Sequence, residues 1–445
     1  MRGLAALGAH VRAADSRELP PTFAVLRVEF PQMEIHCGEF KDEIFNDIDL
    51  IAISPGVPLA DHAVSRAVAR GIAVVGDIEL LARQLSSPDL QLSTKVIAIT
   101  GANGKTTVTT MVGEMCRAAG LATEVAGNIS PAVFDVLLRR NFKQPEVWVL
   151  ELSSFQLETT STLNANASTV LNITEDHLDR YAGMDAYAAA KARIFHGAGV
   201  QVLNRDDERS FGMLLPGRQH VTFGLDEPPR ACDWGVEHCD NDIWLMLGKQ
   251  RLLKASELQI AGLHNVANAL AALALCRAIE LPLPPLLAAL RAFKGLEHRV
   301  ERVAEIDGVV YYDDSKGTNV GATVAALQGL GRPAVLIAGG EGKEQDFTPL
   351  NSVVAQHARA VVLIGRDANK IEAALQGCGI PVVHAQDMTD AVSQSTRLAR
   401  RGDAVLLSPA CASFDMFKNY KHRAEAFVSA VNAIQQGEAA CASPA

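Results

Sequence analysis

The chain has 445 residues, too many for one hydrophobic core, and its length predicts about three domains. Its 48% hydrophobic and 21% charged residues are typical of a soluble globular protein, and eight cysteines without a Cys-x-x-Cys pair favour a reducing, cytoplasmic compartment. A net charge of -10 without a long basic run argues against a nucleic-acid binder, and every apolar stretch is too short for a membrane span.

Short apolar runs alternate with helix-patterned stretches along most of the chain, which predicts an α/β protein with largely parallel sheets. In the first section, residues 1–87, strands are expected at "HVRAADSR", "DLIAISPGV" and "IAVVGD". The polar stretch at residues 85–95 contains Ser and Pro and predicts the first linker.

The first ten residues predict the end of a helix that Gly8 closes, and the following strand ends at Asp15. In a dinucleotide-type βαβ unit, such an acidic residue comes about 20 residues after a glycine-rich turn, which itself follows the first strand. The sequence begins after the point where that strand and turn would stand. We therefore expect a truncated Rossmann-like domain, and a natural protein with roughly 20 further N-terminal residues that include a Gly-x-Gly turn.

The second section, residues 88–295, has the pattern of a larger α/β domain. The stretch "HNVANALAALALCRAIE" predicts a strongly apolar helix, and a proline-rich turn shortly before Gly295 predicts the second boundary. The strands predicted in this section are "KVIAIT", "EVWVLELSS", "ASTVLNIT", "VQVLNRDD", "HVTFG" and "DIWLML".

The third section, residues 296–445, predicts a second doubly wound sheet of the Rossmann-like kind. Helical segments such as "DAVSQSTRLARR" separate its strands. The strands predicted in this section are "GVVYYDDSKGTN", "AVLIAGG", "AVVLIG", "PVVHA" and "AVLLSPACAS".

The stretch "VIAITGANGKTTVTTMVGEM", residues 96–115, joins a predicted buried strand to a predicted helix through a glycine break. Glycines let the backbone approach a ligand closely, and the helix N-terminus offers free N–H groups to an anion. Gly104, Lys105 and Thr106 supply the backbone cradle, the cation and the hydroxyl that a nucleoside triphosphate with Mg²⁺ needs. The spacing departs from a Walker motif, since the first glycine is Gly101. A glycine turn that only caps a core helix is the alternative, and we favour the phosphate site.

Ionisable residues follow at the predicted strand ends. Glu151 lies inside an apolar strand, where a lone carboxylate is costly unless it meets a cation, so we expect it to bind Mg²⁺. The motif "LNITEDHLDRY" ends another strand with several polar residues, including His177. Taken alone, His177 is better interpreted as a core or capping histidine. Next to a phosphate loop and Glu151, a functional role becomes at least as good an interpretation. The plain helical pattern around Lys191 favours a solvated lysine.

Three loops of the third section place small and charged residues directly after a strand: "YYDDSKGTN", "AGGEGKEQDF" and "SPACASFDMFKNY". Loops after parallel strands are where α/β domains bind ligands, although any one of these could be ordinary turn chemistry. Their occurrence in one domain predicts a ligand-binding face. Cys411 has no recognisable base beside it, which predicts a packed small residue.

Taken together, these motifs resemble those of the Mur ligase family over nearly the whole chain, from "ADSR" to "KNY". The resemblance implies a UDP-substrate-binding domain, a central P-loop ATPase-type domain and a C-terminal amino-acid-binding domain. We expect a cytoplasmic monomer whose partners are small molecules. The motifs that carry the resemblance, in the family's order, are "TGANGKTT", "LELSSFQLE", "NITEDHLDRY", "GLHNVANALAALAL", "HR", "DDSKGTN" and "SPACAS".

The resemblance implies an activity in peptidoglycan synthesis. It implies an ATP-dependent ligase that joins D-glutamate to UDP-N-acetylmuramoyl-L-alanine through an acyl phosphate. The implied cofactors are ATP and two Mg²⁺ ions. The chemistry would need no protein nucleophile, because two Mg²⁺ ions and Lys105 offset charge during phosphoryl transfer.

The resemblance also implies a role for individual residues. It assigns catalysis to Lys105, Glu151, His177 and Lys191. It assigns ATP binding to Gly101, Asn103, Gly104, Lys105, Thr106, Thr107, Asn265, Asn268, Arg299 and Asp314. It assigns Mg²⁺ to Thr106, Glu151, His177 and a carbamylated Lys191, because an ammonium cannot bind a cation whereas a carbamate has hard oxygens. It assigns the UDP substrate to Asp15, Ser16, Arg17, Ser54, Asn128 and His177. It assigns D-glutamate to Lys316, Thr318, Lys343, Ser413 and Tyr420, the last where Phe is expected.

Three alternatives stay open. A folylpolyglutamate-type amide ligase shares the phosphate loop but should lack the roughly 90-residue section before it. Another Mur-type ligase, the one that adds a diamino acid, should carry an Asp-Asn-Pro-Arg motif in its last domain. A non-catalytic ATP-binding relative should first lose its metal ligands, and Glu151, His177 and Lys191 are all present in this sequence.

Overall fold

The structure, a computed structural model, describes residues 1–86, 94–176, 180–239, 242–260 and 262–441. The centre of the predicted linker and the candidate residue His177 lie outside the described residues. Within the described part of the chain, no helix combines the length and the apolar character needed to cross a membrane.

The first section contains short parallel strand pairs flanked by helices. Its elements are α1 (Arg2–Ala6), β1 (Ala13–Asp15), α2 (Phe23–Glu29), β2 (Ile35–Cys37), β3 (Leu50–Ala52), α3 (His62–Ala69), β4 (Ala73–Val75) and α4 (Asp77–Gln84). β1 pairs with β2 in one sheet and β3 pairs with β4 in another. Asp61 begins α3, because its carboxylate accepts hydrogen bonds from the N–H groups of Ala63 and Val64. The buried face of α3 packs on Ile44 and Phe45.

The middle section forms a parallel sheet with helices on both faces. Its first elements are β5 (Lys95–Thr100), α5 (Lys105–Ala118), β6 (Thr123–Gly127), α6 (Val133–Arg139), β7 (Val147–Glu151), α7 (Ser154–Glu158), β8 (Ala167–Val170), α8 (Met184–Ala192), β9 (Val200–Asn204), α9 (Glu208–Phe211) and β10 (His220–Phe223). The strand order is β10-β9-β8-β5-β7-β6, and neighbours are parallel. Ile97 and Ile99 of β5 pack with α5, whereas Val96 and Ala98 pack with α4 and α6, as the alternation of a strand requires.

An antiparallel meander and two helices complete the middle section. They are β11 (Trp234–Cys239), β12 (Asp242–Leu247), β13 (Gln250–Lys254), α10 (Leu263–Ala278) and α11 (Leu283–Ala292). Trp234, Leu245 and Leu253 join the core around α10. The sequence pattern predicts β12 but neither β11 nor β13. Both carry polar residues, since an antiparallel sheet can leave one face in water.

The third section forms a second doubly wound sheet. Its elements are β14 (Glu301–Ile306), β15 (Val309–Asp313), α12 (Val320–Gly329), β16 (Ala334–Gly339), α13 (Pro349–His357), β17 (Ala358–Ile364), α14 (Ala368–Ala374), β18 (Val382–His384), α15 (Met388–Leu398), β19 (Ala404–Leu407) and α16 (Tyr420–Cys441). The order is β14-β15-β19-β16-β17-β18, with β14 antiparallel to β15 and the other pairs parallel. Leu336 packs with α12 and α13, and Val335 with α15 and α16. The predicted three-domain α/β class is confirmed, while the domain boundaries at residues 87 and 295 stay predictions.

Candidate active site

The predicted phosphate loop runs from the end of β5 to the start of α5. Gly104 has a φ of 80°, and a Cβ there would lie 2.5 Å from Oδ1 of Asn268. Glycine is therefore needed both for the left-handed backbone and for the close approach of Asn268. Lys105 begins the helix, and its Nζ donates to the carbonyl oxygens of Gly101 and Ala102, each at 2.8 Å. The loop thus holds a cation beside the free N–H groups of α5.

Glu151 ends β7 and has only 2% of its surface exposed. Its Oε1 accepts a hydrogen bond from Nδ2 of Asn128 at 2.8 Å, which places a predicted substrate residue beside a predicted metal ligand. Its Oε2 has no hydrogen-bond partner among the described residues. Because a buried carboxylate oxygen without a partner is costly, this side chain fits a bound cation such as Mg²⁺.

Two cations from different domains meet at the phosphate loop. Arg299 precedes β14, and its Nη2 donates to Oγ1 of Thr106 at 3.0 Å. Burial lowers the pKa of Lys105 and of Arg299, and the nearby charge of Glu151 opposes the shift in both. The two positive charges are therefore incompletely compensated, and an anion bound at this loop would be stabilised. Thr107 is buried in the first turn of α5.

Lys191 lies on α8 and is 1% exposed, so the solvated lysine that its helical pattern favours is wrong. Its Nζ donates to the carbonyl of Gly101 at 3.0 Å and to Oγ1 of Thr100 at 3.3 Å. The same atom lies 4.6 Å from the centre of the Tyr187 ring. Burial, followed by the charge of Lys105, holds the pKa of Lys191 well below its ordinary value. The structure thus places Lys191 against the phosphate loop, in surroundings that disfavour the charged form of its amine.

The candidate nucleoside residues lie on α10 and on the loop after β15. Nδ2 of Asn268 donates to Oδ1 of Asn265 at 3.2 Å. Asp314 is 6% exposed, and its Oδ2 accepts a hydrogen bond from Oγ of Ser408 at 2.6 Å. Burial raises the pKa of Asp314 to about 7, although Ser408 and the charge of Arg299 oppose the shift. Asn268 lies beside Gly104 of the phosphate loop, and the charge of Asp314 acts on Arg299, which contacts Thr106.

The candidate D-glutamate residues lie on loops at the carboxyl edge of the third sheet. Thr318 follows Lys316 in the loop after β15, and Lys343 is in the loop after β16. The loop after β19 carries Ser413, which is 3% exposed and follows the bridge between residues 341 and 412. Nζ of Lys316 lies 3.8 Å from the centre of the Tyr420 ring at the start of α16. The three loops predicted to form one face are therefore neighbours.

The candidate UDP residues of the first section lie at strand ends. Asp15 is the last residue of β1 and Ser16 and Arg17 follow it, while Ser54 follows β3 in the other sheet. Nη2 of Arg17 donates to Oδ2 of Asp15 at 2.7 Å. This hydrogen bond lowers the pKa of Asp15 to about 2. Nη1 of Arg180, from the middle section, donates to the carbonyl of residue 55 at 2.9 Å and joins the Ser54 loop to the middle domain.

Several residues near the site were not among the predicted ones. His298 pairs through Nδ1 with Oδ2 of Asp313 at 2.7 Å. Nζ of Lys343 lies 3.7 Å from Oδ1 of Asp176, and this ion pair connects the third section to the middle section. Asp176 and His298 stand in the motifs "NITEDHLDRY" and "HR", but the sequence gives no sign of the residues that they contact. Asn319, which contacts Asn103 of the phosphate loop, is the last residue of the motif "DDSKGTN", and the sequence assigned it no role of its own.

Protein-family models match three parts of the chain. They are the Mur ligase MurD-like N-terminal domain at residues 1–76, the Mur ligase middle domain at residues 99–276 and the Mur ligase glutamate ligase domain at residues 298–411. Among similar curated proteins, the UDP-N-acetylmuramoylalanine--D-glutamate ligase of Nitrosospira multiformis is 58% identical over 97% of this chain and 92% of its own. The ligase of the same name from Nitrosomonas eutropha is 56% identical over 98% of this chain and 93% of its own.

Solved structures share the fold at lower identity. MurF from Acinetobacter baumannii has a TM-score of 0.62 at 19% identity, over 85% of this chain and 90% of its own. The UDP-N-acetylmuramate-alanine ligase MurC from Thermotoga maritima has a TM-score of 0.60 at 21% identity, over 97% of each chain. On the high identity of the curated relatives and the three matching domains, the chain belongs to the Mur ligase family.

Proposed function

We propose that this protein is an ATP-dependent ligase that joins D-glutamate to UDP-N-acetylmuramoyl-L-alanine. One observation carries the proposal: the phosphate loop faces the cation-bearing loops of the third section, with Arg299 already in contact with Thr106. A nucleotide held by the phosphate loop and an amino acid held by the loops of the third section would meet in the cleft between them. The names of relatives at 58% and 56% identity supply the two substrates.

The proposed reaction has two steps. The substrate carboxylate attacks the γ-phosphorus of ATP, the bond to the bridging oxygen breaks, and ADP leaves behind an acyl phosphate. The amine of D-glutamate, after losing a proton, attacks the acyl carbon, and the tetrahedral intermediate expels inorganic phosphate. The chain's own residues would act by charge and position: Lys105 and Arg299, which both contact the phosphate loop, would offset the negative charge that develops on the phosphate.

Mg²⁺ would neutralise charge on the transferring phosphoryl group. Thr106 and Glu151 would hold one ion, and the unpartnered Oε2 of Glu151 supports this assignment. His177 and Lys191 are assigned to the second ion. The role of Asn128 would be to hold the Glu151 carboxylate through its 2.8 Å hydrogen bond, in addition to any contact with the UDP substrate.

We also propose that Lys191 is carbamylated. Only a neutral amine attacks carbon dioxide, forming an N–C bond and releasing a proton, and burial lowers the pKa of Lys191 in the direction that this reaction needs. The resulting carbamate oxygens would be suitable Mg²⁺ ligands, which an ammonium is not. Mass spectrometry of the intact chain at neutral pH, with and without added bicarbonate, would detect the added carboxyl group.

The candidate D-glutamate site has the charge that its substrate needs. Lys316 and Lys343 offer cations to the two carboxylates, and Thr318 and Ser413 offer hydroxyls. A neutral amino acid such as L-alanine would leave one of these cations without a partner, which costs binding energy. We propose that the enzyme works as a monomer in the cytoplasm, where its nucleotide substrates occur.

The test is phosphate release with ATP, Mg²⁺, UDP-N-acetylmuramoyl-L-alanine and one amino acid at a time. D-glutamate should support turnover, whereas L-alanine, glycine and a diamino acid should not. The Lys105→Ala variant serves as the matched negative control. Equal phosphate release with L-alanine or with the diamino acid would contradict the proposal and favour another amide ligase.

A further inference from the structure

A pair of side-chain amides connects the phosphate loop to the third section. Nδ2 of Asn319 donates to Oδ1 of Asn103 at 3.1 Å, and Nδ2 of Asn103 donates to Oγ1 of Thr174 at 3.2 Å. The backbone of Asn103 is held as well, because its N–H donates to Oδ1 of Asn172 at 2.8 Å and its carbonyl accepts from Nδ2 of Asn172 at 3.2 Å. Asn103 therefore presents a fixed acceptor to Asn319.

Asn319 uses both halves of its amide. Its Oδ1 accepts the N–H of Ala322 at 2.9 Å and so caps α12, while its Nδ2 crosses to the middle section. The residue is 5% exposed, so neither hydrogen bond competes freely with water. Ser, Thr and Asp can also cap a helix, but their side chains have no amide donor to give to Asn103. Asparagine is thus the preferred capping type that does both.

The first turn of α12 packs directly on the phosphate loop. A Cβ at Gly321 would lie 3.2 Å from Nδ2 of Asn103 and 3.3 Å from Oγ1 of Thr174. Asn319 also directly follows Thr318, so any displacement of the cap moves the loop that carries Lys316 and Thr318. The position of the candidate D-glutamate loop is therefore tied to the position of the phosphate loop.

We infer that Asn319 is a positioning residue that couples the phosphate loop to the amino-acid-binding loop when the two domains are closed. The inference rests on the proposed function for the identity of the amino acid. The phosphate loop holds the Asn103 amide in place, and through it Asn319 would hold the loop at residues 316–319 at the cleft. Loss of the crossing hydrogen bond should weaken the use of the amino acid more than the binding of the nucleotide.

The main variant is Asn319→Ser, which keeps a helix-capping oxygen and removes the crossing donor. We expect the KM for D-glutamate to rise about 3- to 10-fold, which is the effect expected from the loss of one hydrogen bond. The Kd for ADP, measured without the other substrates, should stay within about 2-fold of the parent value. The matched control is Asp387→Ser, which changes the cap of α15 in the same domain, where Oδ1 of Asp387 accepts the N–H of Asp390 at 2.8 Å. The control should leave the KM for D-glutamate unchanged. An unchanged KM in Asn319→Ser, or an equal rise in the control, would overturn the inference.

A double-mutant cycle with Asn103→Ala tests the pair itself. If the two amides act through each other, Asn319→Ser should change the KM for D-glutamate less than about 2-fold in the Asn103→Ala background. Effects that simply multiply would show that the residues act independently and would overturn the inference. If the single variants have thermal midpoints close to that of the parent, a general loss of stability is excluded. If the thermal midpoint of Asn319→Ser falls more than that of Asp387→Ser, this result counts against a positioning role.

Small-angle X-ray scattering separates this inference from the proposed function. With ADP and Mg²⁺ added, the parent should have a smaller radius of gyration than Asn319→Ser, because the crossing hydrogen bond favours the closed arrangement. This measurement needs neither turnover nor a known amino acid. If the parent protein fails to use D-glutamate but the difference in radius remains, the proposed function fails and the coupling role stands. Equal radii under these conditions would overturn the coupling role.

Discussion

Replacement of Asp314 by Asn should stabilise the protein above neutral pH. Burial raises the pKa of this carboxyl to about 7 from an ordinary value of 3.8, although Ser408 and Arg299 oppose the shift. The folded chain therefore binds a proton at Asp314 more tightly than the unfolded chain does. Asparagine keeps an oxygen that can accept from Ser408 and cannot ionise, so it removes the cost of a buried negative charge.

The magnitude follows from the two pKa values. As pH rises from about 4 to about 7, the unfolded chain loses its proton before the folded chain, so the contribution of Asp314 to stability falls across this window. At about 1.4 kcal/mol per pKa unit, a difference of roughly 3 units sets a ceiling of about 4 kcal/mol at pH 8. Of this cost, about 2 to 3 kcal/mol develops between pH 5 and pH 8.

The assay is the thermal midpoint of the parent and of Asp314→Asn at pH 5 and pH 8. The thermal midpoint of Asp314→Asn should exceed that of the parent by several degrees more at pH 8 than at pH 5, since one kcal/mol corresponds to about 2–4 °C for a domain of this size. Asp185→Asn is the matched control, because its side chain is 93% exposed and the change should give no such widening. A difference that stays constant or shrinks at pH 8 would refute the burial argument.

Other substitutions test the loop, the lysine and the aromatic ring. Gly104→Ala should abolish ADP binding in a fluorescence titration, because its Cβ would lie 2.5 Å from Oδ1 of Asn268; retained affinity would contradict the role of the loop. Lys191→Ala should lower phosphate release about 100-fold, and bicarbonate or a short carboxylic acid should restore part of it; full activity without either would show that Lys191 is dispensable. Tyr420→Phe should keep the KM for D-glutamate within about 2-fold of the parent value. Tyr420→Leu should raise this KM about 3- to 10-fold, because it removes the ring that Lys316 contacts. Equal KM values in the two variants would show that this contact does not affect D-glutamate.

The strand, glycine loop and helix that carry the predicted phosphate site were predictable because their signals are local. A run of strand formers, two glycines and Lys-Thr-Thr lie within residues 96–115, and β5 has the bounds of the predicted strand "KVIAIT". Glu151 was predictable for the same reason, since a carboxylate within an apolar strand indicates a buried charge. That the loops after β15, β16 and β19 lie together was predictable, because the carboxyl ends of parallel strands share one edge of a sheet; their binding of a ligand stays a prediction.

The burial of Lys191 could not be read from its neighbourhood. The sequence of α8 is "MDAYAAAKA", and its alanines mark no single apolar face that would indicate which side is buried. Only the packing of α8 against the phosphate loop decides that Nζ of Lys191 reaches the carbonyl of Gly101. The Asn103–Asn319 contact is harder still, because 216 residues separate its members and each has an ordinary local explanation, a loop residue and a helix cap.

The cleft has a different charge from the chain as a whole. The net charge of the chain is -10, yet Lys105, Lys191 and Arg299 gather at the phosphate loop, and burial lowers the pKa of each. Burial is the largest cause of each shift, and the charge of Glu151 opposes all three without cancelling them. Arg299, from the third section, lowers the pKa of Lys105 through its charge, so the two side chains repel each other as long as no anion lies between them. A bound triphosphate would attract both Lys105 and Arg299 and so replace this repulsion with attraction. The nucleotide itself should therefore favour the closed arrangement in which Asn319 contacts Asn103.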